Sequence, residues 1–109
     1  MIRLVVVEQF TDAPGSRYKS EGDFSGEEFR EKLLEPLFLK AVNEGEKLLI
    51  DLDGGYGYAT SFLEEAFGGL SRLYENTEKI LSTIEIKSND EPSLIYDIKG
   101  YITNGRDKK

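Results

Sequence analysis

The chain has 109 residues, a mass of 12.3 kDa and a formal net charge of -7, with no cysteine and no histidine. Those two absences exclude disulfide scaffolds, thiolate zinc sites, cysteine nucleophiles and every mechanism built on a histidine base. The acidic balance argues against nucleic acid, whose phosphates are gripped by Lys and Arg. No stretch approaches the ~20 apolar residues of a bilayer span, so no membrane partner is expected either.

The length suits one domain, expected over 1–109, with 104–109 (ending Arg106-Asp107-Lys108-Lys109) as a frayed tail. The opening Met1–Glu8 is too short and too soon charged for a secretory signal, which makes a cytoplasmic, bacterial or viral, setting the expectation. Residues 2–7 are β-branched and predict a strand. Turn chemistry follows at Asp12-Ala13-Pro14-Gly15-Ser16, and residues 16–20 suit a polar edge strand with Arg17, Lys19 and Glu21 outward.

Ser25-Gly26-Glu27-Glu28 has the spacing of a capping box. It opens a predicted helix with the apolar stripe Phe29, Leu33, Leu37 and Ala41, widened by Leu34 and Phe38. Arg30 is assigned to its polar face with Glu27, Glu28, Glu31, Lys32 and Glu35. Pro36 requires either a kink or a break near Leu34, and Gly45 ends the helix. Leu48-Leu49-Ile50 then reads as a central strand covered on both faces.

A loop at Gly54-Gly55-Tyr56-Gly57-Tyr58 leads to a second capping box, Ser61 with Glu64. The helix beyond it carries Phe62, Leu63, Ala66, Phe67, Leu70, Leu73 and Tyr74 as a wide buried stripe. Gly68 and Gly69 within it point to close helix–sheet contact or a local distortion. Residues 79–86 predict a strand, and Asn89 to Ser93 a helix start, with Leu94, Ile95, Ile98, Tyr101 and Ile102 at helical spacing until Asn104-Gly105. The order β-β-α-β-α-β-α makes the fold α/β, with a parallel or mixed sheet.

Candidate chemistry gathers after the central strand, where open α/β sheets build their sites. Tyr58 follows Gly57, and Thr60 stands where a third glycine would be, so both phosphate-loop spacings fail. Asp51 and Asp53 share a face and could hold magnesium, but turn-forming aspartates are far commoner. A small-ligand or metal-dependent site there is the alternative reading. Thr60 and Ser61 are candidate N-caps whose hydroxyls could also accept phosphate, with Glu64 and Glu65 opposing the added charge. Tyr56 and Tyr58 are spaced to share one face, either as a protein-contact patch or as a roof over the core.

Taken together, Pro14-Gly15-x-Arg17, Gly22, Ser25-Gly26-Glu27-x-Phe29-Arg30, Ile50-Asp51-Leu52-Asp53-Gly54 and Thr60-Ser61-Phe62-Leu63-x-Glu65-x-Phe67-Gly68-Gly69-Leu70 resemble the STAS-like domain family of unknown function, related to the anti-sigma factor antagonist fold. The resemblance covers roughly residues 14–70. It implies a four- to five-stranded mixed sheet with helices packed on it. It also implies a phosphoacceptor at Ser61, with Thr60 beside it, and a partner of the GHKL-type ATPase or serine kinase class. Ala59 and Phe62 stand where the antagonist pattern has Asp and Gly. The resulting expectation is a non-enzymatic, cofactor-free interaction module that docks a protein through Asp53, Gly54, Gly55, Tyr56, Gly57, Tyr58 and Glu64.

Overall fold

The computed structural model describes residues 1–105. Within them the chain forms β1 (Ile2–Val5), α1 (Val6–Gln9), a 3-10 turn (Lys19–Glu21), α2 (Gly26–Phe29), a π-helical turn (Arg30–Leu34), α3 (Glu35–Glu44) and β2 (Leu48–Asp51). There follow α4 (Thr60–Leu63), a π-helical turn (Glu64–Gly68), α5 (Gly69–Tyr74), α6 (Thr77–Thr83), β3 (Ile84–Lys87) and α7 (Ser93–Asn104). The fold is α/β, around a parallel sheet of three strands in the order β1-β2-β3 among the described residues. The mixed sheet of four to five strands is therefore corrected to three parallel strands.

Two expected strand segments go elsewhere for physical reasons. Residues 16–20 make no ladder because the Ser16 and Arg17 carbonyls accept the first N–H groups of the next helix, from Gly26 at 2.9 Å and Glu27 at 3.0 Å. Ser25 Oγ takes the Glu28 N–H at 3.0 Å and its carbonyl takes Phe29 N–H, so the helix start is fully satisfied. Glu28 reaches back to the Phe24 N–H, one residue earlier than a standard capping box. Residues 79–83 are helical because Asn76 Oδ1 caps Lys79 N–H at 3.0 Å and buries Ile80 and Thr83 three positions apart. Only Ile84–Lys87 remains as strand. At the other end, β1 stops at Val5, and Val6 and Val7 turn over the sheet end, where Val7 packs on Gly54 and Gly55.

Pro36 lies in the first turn of α3, and the backbone stays helical through Leu34 and Glu35 before it. The turn before it widens to π geometry, with Glu35 N–H reaching the Arg30 carbonyl, which absorbs the donor that proline lacks. Gly45 ends α3 at φ 66°, with Glu46 N–H closing onto the Ala41 carbonyl at 2.9 Å.

The register pairs Leu4 with Ile50 and Leu48 with Ile84. Leu4, Leu48, Ile50 and Ile84 are buried, whereas Arg3, Glu85 and Lys87 on the other face are exposed and Leu49 is half-buried. The central strand is thus fully covered on one face only. Phe29, Phe38, Phe62 and Phe67 are fully buried above it. Leu73, expected in the stripe, is instead 60% exposed, and Leu33, Leu37 and Tyr74 lie at the core margin. The α7 residues Leu94, Ile98 and Ile102 complete the core. Asn104 still belongs to α7 and Gly105 is buried, so the chain is ordered past the expected start of the tail, and 106–109 lie outside the described residues.

Phe67 is wholly buried and packs on Phe29, ring centroids 6.4 Å apart. Phe67→Ala is expected to cost about 3–5 kcal/mol, read from urea unfolding, a large part of a small domain's stability. A midpoint unchanged from wild type would contradict this packing.

Candidate functional site

The loop between β2 and α4 lies at the carboxyl end of the sheet and is held at several points. Asp51 Oδ1 accepts the Asp53 N–H at 2.9 Å, an aspartate turn. Asp53 Oδ1 accepts the Asp90 N–H, and Asp90 Oδ2 accepts the Gly54 N–H, both at 2.9 Å. This reciprocal pair ties the loop to the segment after β3. Gly54 and Gly57 take φ of 95° and 108°, conformations that L side chains rarely adopt. Tyr56 N–H donates to the Asp12 carbonyl at 2.9 Å.

The carboxylates at this end are engaged within the chain. Lys87 Nζ lies 3.4 Å from Asp51 Oδ2 and 3.5 Å from Asp53 Oδ2, so an ammonium sits between the two groups that could have held magnesium. The Asp90 N–H, helped by Asn89 N–H and Lys87 and opposed by desolvation, holds the Asp53 carboxyl below its usual range. Asp51 raises the Lys87 ammonium above its usual range. Among the described residues no three acidic side chains converge as metal ligands.

The two tyrosines part company. Tyr56 is 86% exposed at the loop tip. Tyr58 is half-buried, with its ring 5.8 Å from that of Phe62 and its hydroxyl donating to the Leu52 carbonyl at 3.1 Å. Burial, with Asp51 and Asp53 adding to it, pushes the Tyr58 hydroxyl well up, so it remains a donor. One ring roofs the core and the other faces solvent, which corrects the expectation of a shared face.

Ser61 is not the N-cap. Ala59 holds that position, with φ -71° and ψ 145°, and no side chain caps the turn. Thr60 is exposed at the first helical position and Ser61 half-buried at the second. The box fails because the helix starts two residues before the expected cap, which takes Glu64 out of the third helical position and leaves it to other partners. Arg17 Nη1 reaches Glu64 Oε1 at 2.5 Å and Arg72 Nη1 reaches Glu64 Oε2 at 2.8 Å. Burial raises the Glu64 carboxyl, but the hydrogen bonds from Arg72 and Arg17 outweigh it and leave it below the usual range. Glu64 is therefore turned inward, away from the exposed loop residues with which it was grouped.

The same cluster contains Arg30, which sequence reasoning placed on a polar face. Arg30 is only 8% exposed, with Nη1 donating to Glu65 Oε2 at 2.6 Å and to the Glu65 carbonyl at 2.8 Å. Arg17, expected outward on an edge strand, also reaches Glu65 Oε1 at 3.3 Å. The glycine pair makes room for these groups: a Cβ on Gly68 would overlap the Glu64 carboxylate, and one on Gly69 the Arg30 guanidinium. Gly68 also receives the backbone of Gly105, whose carbonyl accepts from Arg72 Nη1 at 3.1 Å. Their contacts are with side chains and with Gly105 rather than with the sheet, and Gly68 closes a π-helical turn, the local distortion that was the other expectation. The available signal was Arg30 at helical spacing with buried Leu34 and Phe38, opposite two adjacent glycines.

Because Ser25 caps and Ser61 does not, the two serines are expected to differ. Ser25→Ala should lose ~0.5–2 kcal/mol in urea unfolding, whereas Ser61→Ala should stay within about 0.5 kcal/mol of wild type. Equal losses at both positions would contradict the assigned helix start.

A search of curated proteins and a search of solved structures each find no significant match. A family model does match residues 25–94, that of the STAS-like domain of unknown function (DUF4325). The matched span runs from the Ser25 cap through β2, the pinned loop, the glycine pair and β3 into α7. The chain belongs to the family of STAS-like domains of unknown function.

Proposed function

We propose that this domain is a non-enzymatic regulatory module that docks a protein partner through the loop and helix start at 54–61. The observation that carries this reading is Tyr56, 86% exposed on a loop whose neighbours are fixed by hydrogen bonds. A pinned loop loses little conformational freedom on binding, and tyrosine contributes contact area at low entropic cost. Gly57 leaves the main chain beside Tyr56 open to close approach, whereas Gly54 and Gly55 fit against Val7 and the Asp12 carbonyl. The partner class suggested by the family resemblance is a GHKL-type ATPase or serine kinase.

Phosphorylation at Thr60 or Ser61 is part of the same proposal. Neither hydroxyl caps the helix. The charge of Glu64 and Glu65, which would oppose a phosphate in the first turn, is countered by Arg17, Arg30 and Arg72. A phosphate there would add ~1.5–2 negative charges beside Tyr56 and disfavour an acidic partner surface. The alternative of a ligand or metal site at Asp51 and Asp53 gains no support, since Lys87 already lies between the two carboxylates.

Affinity capture from the native cell tests the reading, with wild type compared against Tyr56→Ala and Ser61→Asp. Tyr56→Ala is expected to melt like wild type and to lose at least tenfold in recovery of a partner. Ser61→Asp is expected to fold and to lose part of it. Recovery of the same proteins in the same amounts by all three forms would overturn the docking role of this loop.

A further inference from the structure

The strand β3 lies at an edge of the sheet. The Lys87 carbonyl accepts from Leu52 N–H at 2.9 Å. By the alternation of a parallel ladder, Glu85 and Lys87 then turn their main-chain groups toward β2, and Ile86 turns its N–H and C=O to the open edge. Such an edge is a template for another strand. Beside it, between β3 and α7, runs a groove of about 360 Å³, lined in part by Leu81, Ile84, Ile86, Ile95, Ile98 and Ile102.

The charges along β3 are complementary to themselves. Glu85 and Lys87 are both exposed on the face away from the core and flank Ile86 symmetrically. We propose that β3 pairs antiparallel with β3 of a second copy of this chain, about a two-fold axis at Ile86. In that register each Ile86 lies opposite the copy's Ile86, and their outward groups exchange two hydrogen bonds. Each Glu85 lies opposite the copy's Lys87, a favourable cross-strand pair. Within the chain Lys47 already stands 3.6 Å from Glu85, and Lys87 3.4 Å from Asp51. Pairing therefore completes a row running Lys47, Glu85, the copy's Lys87 and the copy's Asp51, alternating in sign throughout. The isoleucines beside the strand meet their counterparts across the axis and close the groove. A four-residue strand and a charge of -7 on each copy make the association weak and concentration-dependent.

Sedimentation velocity from micromolar to millimolar concentration tests this, with thermal melts to show that each variant is folded. Wild type is expected to shift toward twice the 12.3 kDa of one chain as concentration rises. Glu85→Lys alone sets Lys opposite Lys, and Lys87→Glu alone sets Glu opposite Glu, so each should remain monomeric at concentrations where wild type dimerises. Mixing these two variants places lysines opposite glutamates on both sides of the axis, and should restore a dimer. A wild type that stays monomeric throughout would overturn the proposal. So would a dimer that both single variants leave intact, or variants that lose the dimer without recovering it on mixing.

Discussion

A cluster of five charged side chains, three of them buried, sets the terms for the rest of this fold. Arg17, Arg30 and Arg72 surround Glu64 and Glu65, three positive groups against two negative ones, and Arg30, Glu64 and Glu65 are each less than a tenth exposed. Removing charges from water costs several kcal/mol per ion, which only close, multiply hydrogen-bonded geometry can offset. The surrounding chain supplies that geometry. Arg30 opens one π-helical turn and Glu65 lies in the other, and their side chains pair at 2.6 Å. Gly68 and Gly69 leave the space that the guanidinium and carboxylate fill. Arg17 draws in the connection after β1, and Arg72 binds the carbonyl at the end of α7.

This arrangement has consequences at the other end of α4. With the helix anchored through Glu64 and Glu65, the start of α4 is held relative to β2, and the short loop between them has little freedom left. Asp51, Asp53 and Asp90 remove most of what remains by hydrogen-bonding main-chain groups. The result is an exposed aromatic presented on a fixed frame, and carboxylates committed to structure rather than to ligands. In the proposed function, that combination serves recognition of a protein surface.

Much of the frame was legible in the sequence because its signals were redundant. The stripe from Phe62 to Leu70, the Ser25 cap, Gly45 and the start of α7 each combine periodicity with capping or turn chemistry, and all appear in the fold. The resemblance to STAS-like domains rested mainly on residues from Ser25 to Leu70, which the family match also spans, while Pro14, Gly15 and Arg17 lie before it. Misreadings arose where one pattern admits two structures. Ile80, Thr83, Ile84 and Ile86 suit a strand by composition, yet the Asn76 cap makes the first part helical. Residues 16–20 look like an edge strand, but their carbonyls are taken by the N-terminus of α2. Arg30 was assigned outward because arginine is usually exposed, and its burial depends on Glu65, 35 positions away. Ser61 loses the capping role because the helix starts two residues earlier, with Ala59 at the cap, and Glu64 pairs with two arginines, one of them 47 residues distant. Such long-range pairings leave no local periodicity to read.

The Arg30–Glu65 contact couples the two π-bulged helices. A double-mutant cycle on Arg30→Met and Glu65→Leu, followed by urea unfolding, measures that coupling directly. Glu65→Leu strands the buried Arg30 and is expected to lose about 3–5 kcal/mol, whereas Arg30→Met leaves Glu65 with Arg17 at 3.3 Å and is expected to lose less. The double variant, which replaces the pair with apolar groups, should recover about 2–3 kcal/mol of the summed loss. Losses that add to within about 0.5 kcal/mol would contradict the account, since independent sites behave in that way.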